Sequence, residues 1–186
     1  MRIIATDIPD VLTIEPQVFG DERGFFYESF NQKAWEKKTG LRTTFVQDNH
    51  SRSERNVLRG LHYQIRQPQG KLVRIVEGEV FDVAVDIRPG SPTFGRWVGF
   101  LLSCENFRQL YVPPGYAHGF CVTSERAQME YKCTDLYYPE DEVVVLWSDP
   151  AIGIRWPLQG EAILSARDRA GKRLSELTDR LPKYSR

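Results

Sequence analysis

The sequence predicts a mainly β protein of the jelly-roll type, a sandwich or barrel of many short strands. Three observations predict this class: short runs of alternating apolar residues, Gly- and Pro-containing turns at regular intervals between them, and only one strong helical pattern in the first two-thirds of the chain. With 186 residues, the chain is expected to form a single domain over residues 1–186, with a core large enough to fold without covalent cross-links.

The first third of the chain predicts short strands around one helix. Turns at residues 9–10 and 20–24 separate the first strands, and the aromatic-rich residues 25–30 predict another strand. Asn31 is expected to cap a helix over residues 32–38, which Gly40 ends. A strand is then expected at residues 45–49 with Gln47 and Asn49 on the same face, followed by a polar loop at residues 51–56.

Two consecutive segments, residues 59–64 and 69–77, carry the predicted chemistry of the chain. They place the imidazole of His62 between two cations, Arg59 and Lys71, within one strand–turn–strand unit. Such a unit is expected to hold a base and a cation on one rigid wall of a cavity. Because Arg59 and His62 are three residues apart, a regular strand would point them to opposite faces, so the intervening glycine is expected to mark a bend.

The remaining elements follow the same alternation. Lys71, Val73 and Ile75 are expected on one face of their strand, before a turn at residues 77–78. Further strands are predicted at residues 80–87, 97–103, 109–112, 119–123, 129–136 and 143–147. The pattern weakens from residue 151, where residues 165–169 form a polar segment and residues 175–181 predict a terminal helical turn. The few short helices are therefore expected mostly near the C-terminus.

Composition excludes several classes of partner. The 25 Lys and Arg residues balance the 25 Asp and Glu residues without a long run of one sign, so neither nucleic acid nor membrane is an expected partner. Cys104, Cys121 and Cys133 lie in apolar runs and are expected to be buried free thiols in a reducing compartment. No leader-like segment and no run of about 18 apolar residues is present, so a cytoplasmic location is predicted.

The histidine spacing does not favour a metal site. The chain has three histidines, His50, His62 and His118, and jelly-roll metal sites often use an His-x-His pair, which the sequence Tyr63-Gln64 after His62 breaks. No metal is therefore expected. His62 has two interpretations: a strand histidine bound to backbone, or a base whose neighbouring cations bind an anionic or carbonyl ligand.

Tyr131 also has two interpretations. Period-two alternation places Tyr131, Cys133, Asp135 and Tyr137 on one face, which is typical of a structural aromatic ladder. In the functional interpretation, Tyr131 donates a proton and Tyr137 is a flat surface on which a ring stacks. The pattern alone supports both interpretations equally.

Several ordered sequence blocks together point to a known family. They are DERGFF (21–26), QDNHS (47–51), LRGLHYQ (58–64), QGKLVR (69–74), GEVFDVAVD (78–86), PGYAHGF (114–120) and LSARD (164–168). Through these blocks the chain resembles the dTDP-4-dehydrorhamnose 3,5-epimerases, which are sugar-nucleotide epimerases of the cupin superfamily. The resemblance extends over nearly the whole sequence.

This resemblance implies a cupin-type jelly roll (a double-stranded β-helix), a homodimer and no cofactor. It implies an isomerase of dTDP-L-rhamnose biosynthesis, a route to cell-surface polysaccharide, that inverts C3 and C5 of dTDP-4-dehydro-6-deoxy-D-glucose. By motif, His62 matches the general base, Asp168 the carboxylate that orients it and Tyr131 the general acid, and Lys71 is expected to stabilise the enolate. Matching substrate-binding positions are Arg23, Phe26, Glu28, Gln47, Asp48, Asn49, Arg59, Lys71, His118, Tyr137, Glu142 and Arg167.

Two alternatives remain open from the sequence. A related enzyme that inverts a single centre, or that isomerises the keto group, would use overlapping residues. A cupin that only binds a sugar nucleotide would need neither a base nor an acid. The joint presence of His62, Tyr131 and Asp168 therefore favours an enzyme over a binding or storage protein.

Overall fold

The computed structural model, which describes residues 1–184, is mainly β, as predicted. The strands are β1 (Arg2–Ala5), β2 (Leu12–Glu15), β3 (Phe19–Asp21), β4 (Gly24–Phe26), β5 (Gln47–Glu54), β6 (Leu58–Gln64), β7 (Lys71–Glu77), β8 (Glu79–Asp86), β9 (Trp97–Ser103), β10 (Gln109–Val112), β11 (Tyr116–Val122), β12 (Arg126–Cys133) and β13 (Glu142–Val144). The helices are α1 (Gln32–Thr39) and α2 (Ala166–Arg169), followed by 3-10 turns at Leu174–Glu176 and Thr178–Arg180. Among the described residues, no helix is long and apolar enough to cross a membrane.

Two antiparallel sheets form the jelly roll. One has the strand order β1-β2-β10-β7-β12-β5, and the other has the order β13-β6-β11-β8-β9. Their inner faces pack together through apolar side chains that alternate along each strand, among them Val73 and Met129 of the first sheet and Val80, Leu102 and Phe120 of the second. The functional cavity opens where polar residues replace apolar ones on these inner faces.

The outer faces of both sheets are also covered. The C-terminal segment lays Ile152, Leu174 and Leu177 against Val83 and Val85 on the outside of the five-stranded sheet. Residues 83 to 85 therefore alternate between two apolar layers, which explains why this part of β8 is continuously hydrophobic.

Helix α1 covers part of the six-stranded sheet through its buried Trp35. Its ends agree with the sequence, because the Asn31 side chain accepts a hydrogen bond from the backbone N–H of Ala34 and Gly40 closes the helix at φ +74°. The predicted helix over residues 32–38 is confirmed with one residue added. The predicted terminal helical turn is present as the two 3-10 turns.

Two N-terminal predictions were wrong in extent. The expected strand at residues 25–30 ends at Phe26, where it closes the two-stranded ribbon β3–β4. The expected polar loop at residues 51–56 is instead the second half of strand β5, which runs to Glu54 and pairs with β12. Strand β5 is an edge strand whose inward residues face a polar cavity, so its sequence lacks the apolar alternation that marks a strand.

The expected strand–turn–strand unit was also wrong in its geometry. Strand β6 lies in the five-stranded sheet and β7 in the six-stranded sheet, so the connecting residues 65–70 cross between layers. His62 and Lys71 therefore reach the cavity from facing sheets rather than from one wall. The predicted turn at residues 77–78 is present, with Gly78 at φ +73°.

Candidate active site

A cavity of about 560 Å³ opens between the two sheets and gathers the residues expected to carry chemistry. His62 on β6 and His118 on β11 enter it from the five-stranded sheet, while Lys71 on β7 and Tyr131 on β12 enter it from the six-stranded sheet. The size is within the range of small-molecule and cofactor sites. The described chain thus brings an imidazole, a phenol and an ammonium group to one concave site.

The backbone at Gly60 turns Arg59 and His62 toward the same cavity. The register between β6 and β11 shifts between His118 and Phe120, which marks a β-bulge opposite Gly60. Gly60 has φ +120°, and a Cβ atom there would lie 2.6 Å from the Cα atom of Gly119. Only glycine fits this position, and the bend expected from the residue spacing is confirmed.

His62 forms a close pair with Asp168. The Nε2 atom of the imidazole lies 2.6 Å from Oδ1 of Asp168. Burial raises the pKa of Asp168, but hydrogen bonds from His62 and Ser165 outweigh it and hold the pKa below the ordinary 3.8. The carboxylate is therefore ionised and accepts the Nε2 hydrogen, which leaves Nδ1 of His62 with its lone pair.

Helix α2 fixes Asp168 in place. The Ser165 hydroxyl donates to Oδ2 of Asp168 at 2.6 Å and accepts a hydrogen bond from the Asp168 backbone N–H at 3.1 Å. The backbone N–H of Gly60 donates to the other carboxylate oxygen at 3.2 Å. Ser165 is a site residue that the sequence analysis missed, although the Ser-x-x-Asp spacing is close to a helix capping box and gave the signal.

Tyr131 is a protonated phenol in a desolvated position. Burial raises its pKa to about 12, with further upward contributions from Cys133 and Glu142 and a downward one from Arg59. The hydroxyl therefore carries its proton at neutral pH. Tyr131 belongs to the sheet that faces His62, so a ligand between the two sheets would meet them on different sides.

Lys71 is a half-buried side chain in the wall of the cavity. Burial lowers its pKa from the ordinary 10.5, and nearby Cys133, Glu142 and Asp82 partly offset this effect. No carboxylate among the described residues lies within ion-pair distance of its ammonium group. An unpaired cation in such a place interacts strongly with charge that develops on a bound ligand.

The rim of the cavity carries a cluster of three side chains. Glu142 forms an ion pair with Arg167, and its Oε2 atom lies 3.3 Å from the Tyr137 hydroxyl. Arg167 also donates to that hydroxyl at 3.1 Å. Tyr137 follows the end of β12 and reaches the cavity from a loop, so the expected single-face ladder from Tyr131 to Tyr137 was wrong.

Other predicted polar residues complete the walls. Gln47 donates to Asn49 at 2.9 Å, and its carbonyl accepts a hydrogen bond from the backbone of Tyr137, so the predicted shared face is confirmed. His118 bonds through Nε2 to the buried carboxylate of Asp82 at 2.8 Å. Asp82 is a second site residue that the sequence analysis missed, because within the apolar β8 pattern it resembled a core position.

Four predicted substrate-binding residues lie outside this cavity. Arg23 belongs to the β3–β4 turn and pairs with Asp21, and Phe26 and Glu28 lie beside a separate pocket near helix α1. Asp48 points to the opposite face of β5, where it forms an ion pair with Lys132 at 3.0 Å. The alternation of the strand that turns Gln47 and Asn49 inward necessarily turns Asp48 outward.

The described residues do not assemble a metal site. Within residues 1–184, no group of three or more His, Cys, Asp or Glu side chains is arranged to hold an ion. The three histidines do not converge, because His50 lies on the other face of β5 and bonds to Gln128 at 2.8 Å. The three cysteines are free; Cys121 and Cys133 are buried as expected, whereas Cys104 is only half-buried.

Comparison with known proteins identifies the family to which this cavity belongs. The family model described as dTDP-4-dehydrorhamnose 3,5-epimerase matches residues 5–176. The chain belongs to this family. Family membership explains why most of the blocks singled out in the sequence contribute residues to one cavity, and it makes the chain an epimerase with a cupin-type fold.

Individual relatives agree over nearly the full length. The dTDP-4-dehydrorhamnose 3,5-epimerase of Pseudomonas aeruginosa is 60% identical over 176 residues, which cover 95% of this chain and 97% of the relative. The crystal structure of dTDP-6-deoxy-D-glucose-3,5-epimerase from Legionella pneumophila, in complex with dTDP-4-keto-L-rhamnose, superposes with a TM-score of 0.97 at 55% identity, covering 100% of this chain and 99% of that one. A 3'-monoepimerase from Streptomyces bikiniensis, in complex with dTDP-quinovose, superposes with a TM-score of 0.92 at 34% identity and covers 99% of this chain and 93% of that one.

Proposed function

We propose that this chain inverts C3 and C5 of dTDP-4-dehydro-6-deoxy-D-glucose to give dTDP-4-dehydro-L-rhamnose. The observation that carries the proposal is the placement of His62 and Tyr131 on facing sheets around one cavity. Inversion at carbon needs a base on one side of the ring and an acid on the other. The epimerase relatives, one of them solved with dTDP-4-keto-L-rhamnose, support the same substrate class.

In this mechanism His62 removes the proton. The 4-keto group acidifies the hydrogens on C3 and C5, and Nδ1 of His62 is the ring nitrogen left free by Asp168. The ionised Asp168 holds the tautomer and stabilises the imidazolium that forms, as in other His–Asp pairs. A base and its orienting carboxylate typically raise the rate by about 10²–10⁴-fold.

Tyr131 returns a proton from the opposite side of the ring. Its high pKa, about 12, keeps the phenol protonated until an enolate forms beside it. Delivery to the face opposite His62 inverts the carbon, whereas return of the proton by His62 itself would regenerate the starting configuration. The two groups together therefore decide the stereochemical outcome.

Lys71 stabilises the enolate, and other residues hold the nucleotide. The Lys71 side chain is half-buried in the cavity wall, where a cation stabilises a developing oxyanion more strongly than it would in open water. Arg59 lines the cavity and offers a guanidinium group to the diphosphate, while the ring of Tyr137 at the rim provides a stacking surface for thymine. No step in this scheme uses a cofactor.

We also propose that the enzyme is a homodimer whose protomers exchange arms. The ribbon β3–β4 exposes the large apolar side chains Phe25 and Phe26, the latter 70% exposed. Arg23, which matches a substrate-binding position, lies on this arm outside the cavity of its own protomer. Docking of the arm on a second copy would bury the phenylalanines and bring Arg23 to the partner's cavity.

A cytoplasmic location is part of the same proposal. The three cysteines within the described residues are free thiols, which suits a reducing compartment.

Inversion of a single centre is the second candidate function. It is favoured by the structural similarity to the Streptomyces bikiniensis 3'-monoepimerase. The deciding experiment is incubation with the 4-keto sugar nucleotide in deuterated buffer, followed by NMR of C3 and C5. Deuterium and inverted configuration at both carbons are expected, and incorporation at one carbon alone would assign the chain to the single-centre enzymes.

A further inference from the structure

The Glu142 carboxylate lies between the proposed base and the proposed acid. Its Oε1 atom is 3.8 Å from Nδ1 of His62, the ring nitrogen that Asp168 does not engage, and its Oε2 atom is 3.3 Å from the hydroxyl of Tyr137. Glu142, Tyr137 and Tyr131 all line the same cavity as His62. His62 therefore has a carboxylate near each ring nitrogen, Asp168 at Nε2 and Glu142 at Nδ1. Glu142 also contacts Tyr137.

Double inversion creates a proton imbalance that such a chain of groups would correct. Each inversion leaves His62 with an extra proton and Tyr131 without its own. The same base and acid cannot act on the second carbon until one proton has moved from the imidazolium to the phenolate. This requirement rests on the proposed function, because an enzyme that inverts one carbon can reset after product release.

We propose that Glu142 returns this proton between the two inversions, while the sugar nucleotide stays bound. The N–H bond at Nδ1 of His62 breaks as an O–H bond forms on Glu142. The protonated carboxyl group of Glu142 then rotates so that its O–H faces Tyr137 and gives its proton to the Tyr137 oxygen. Tyr137 turns its own O–H away from Glu142 and gives that proton to the Tyr131 phenolate. His62 ends neutral, Tyr131 ends as a phenol, and Glu142 and Tyr137 are unchanged, with no oxidation or reduction.

The surroundings of Glu142 suit a proton carrier. Its side chain is only 11% exposed, so bulk water has little access to the carboxylate. Arg167 contacts both Glu142 and the Tyr137 hydroxyl, which keeps the two oxygens adjacent. The 3.8 Å separation from His62 is longer than a hydrogen bond, as is common in ligand-free enzymes, where catalytic contacts tighten when the substrate binds.

The test is a single-turnover experiment with excess enzyme and the 4-keto sugar nucleotide. Glu142→Gln keeps the shape of the side chain but cannot carry a proton. We expect a singly inverted sugar to accumulate, with the second inversion slowed by about 100-fold relative to the first. Added formate, a small proton carrier, is expected to restore the second inversion. Tyr137→Phe, which keeps the ring and loses the hydroxyl, is expected to show the same accumulation.

The matched control is Glu140→Gln, which changes an exposed carboxylate two residues away and is expected to give the native product pattern. Equal slowing of both inversions in Glu142→Gln, with no singly inverted sugar and no response to formate, would overturn the proton-return role and leave Glu142 as a binding residue. If the native enzyme itself inverts only one carbon, the proposed double inversion fails, and the proton-return role fails with it.

Discussion

The Nε2 atom of His62 lies 2.6 Å from the carboxylate of Asp168, although 106 positions separate the two residues in the chain. The strand β6 carries the imidazole, and the short helix α2 brings the carboxylate back to it from the C-terminal segment. This contact fixes one tautomer and leaves the other ring nitrogen facing the cavity, 3.8 Å from Glu142.

Replacement of His62 by alanine is expected to abolish both deuterium incorporation at the sugar and formation of the inverted product. The reason is that both events begin with removal of a carbon-bound proton. The measurement is NMR of the 4-keto sugar nucleotide after incubation in deuterated buffer. Substantial residual incorporation by the variant would show that another group is the base. His50→Ala, on the outer face of β5, is the matched control and should keep activity.

Replacement of Tyr131 by phenylalanine is expected to separate the two events. Deprotonation does not need the phenol, so deuterium incorporation should persist, whereas inversion should fall by about 10²–10⁴-fold. On one sample, NMR gives the rate of deuterium incorporation at the sugar. The stereochemistry of the product after reduction of the ketone gives the rate of inversion. A parallel fall of both rates would count against Tyr131 as the acid and would indicate a role in substrate binding.

Replacement of Lys71 by methionine is expected to lower incorporation and inversion together. Both pass through the same enolate, and loss of one oxyanion-stabilising group typically costs about 10²–10³-fold. The ratio of the two rates should stay native, in contrast to Tyr131→Phe. A changed ratio would contradict the assignment of Lys71 to the shared intermediate.

Replacement of Lys71 by methionine is also expected to change how the free energy of unfolding depends on pH. Burial lowers the pKa of Lys71 in the folded state below the ordinary 10.5, so between the two values the unfolded chain binds more protons than the folded chain. The free energy of unfolding of the native protein therefore contains a contribution that increases with pH across this window. Urea unfolding of native enzyme and Lys71→Met at neutral and alkaline pH should show a steeper rise for the native protein.

Exhaustive treatment with a chelator is expected to leave activity unchanged. The proposed mechanism assigns charge stabilisation to Lys71 and proton transfer to His62 and Tyr131, so it has no task for a metal ion. The assay compares the treated enzyme with a sample to which divalent cations have been restored. Loss of activity that a metal reverses would overturn the cofactor-free mechanism.

The sequence predicted the elements that have clear end signals and one face packed on the apolar core. Helix α1 has a cap, a buried tryptophan and a terminating glycine within one short segment, and β9 and β10 have apolar patterns bounded by turns, so their limits were predicted well. Strand β5 was cut short because its inward side chains meet a polar cavity. Apolar alternation in the sequence reveals a strand only when one face of that strand packs against the apolar core.

The sequence did not predict which sheet each strand joins or which distant residues meet. Residues 65–70 carry the chain from one sheet to the other, and no local pattern distinguishes this crossing from a hairpin loop. The pairing of Asp168 with His62 depends on a four-residue helix with no apolar periodicity, so it followed only from family resemblance. The separate location of Arg23 is likewise a consequence of tertiary structure. The outward direction of Asp48, by contrast, follows from the strand alternation already predicted for Gln47 and Asn49.

The β3–β4 ribbon carries Arg23 outside the cavity of its own chain and, in the proposed dimer with exchanged arms, into the cavity of the partner. The Arg23 side chain is 84% exposed on the β3–β4 ribbon and does not line the cavity of its own chain. If the ribbon serves the partner's cavity, Arg23→Ala should lower kcat/KM by at least about tenfold through loss of a charge-assisted contact. This loss alone does not show which protomer receives the arm.

Mixed dimers of two defective variants, one with reduced activity (Arg23→Ala) and one with none (His62→Ala), distinguish the two arrangements by the activity gained above that of Arg23→Ala alone. In a dimer of Arg23→Ala with His62→Ala, exchanged arms create one complete site, formed by the native cavity of the first protomer and the native arm of the second. Random reassortment then restores about a quarter of the native sites, because half of the dimers are mixed and each has one complete site. Arms that serve their own cavity give no recovery. The control is a mixture of His62→Ala with Tyr131→Phe, in which both cavities are defective, so recovery there would contradict the exchange.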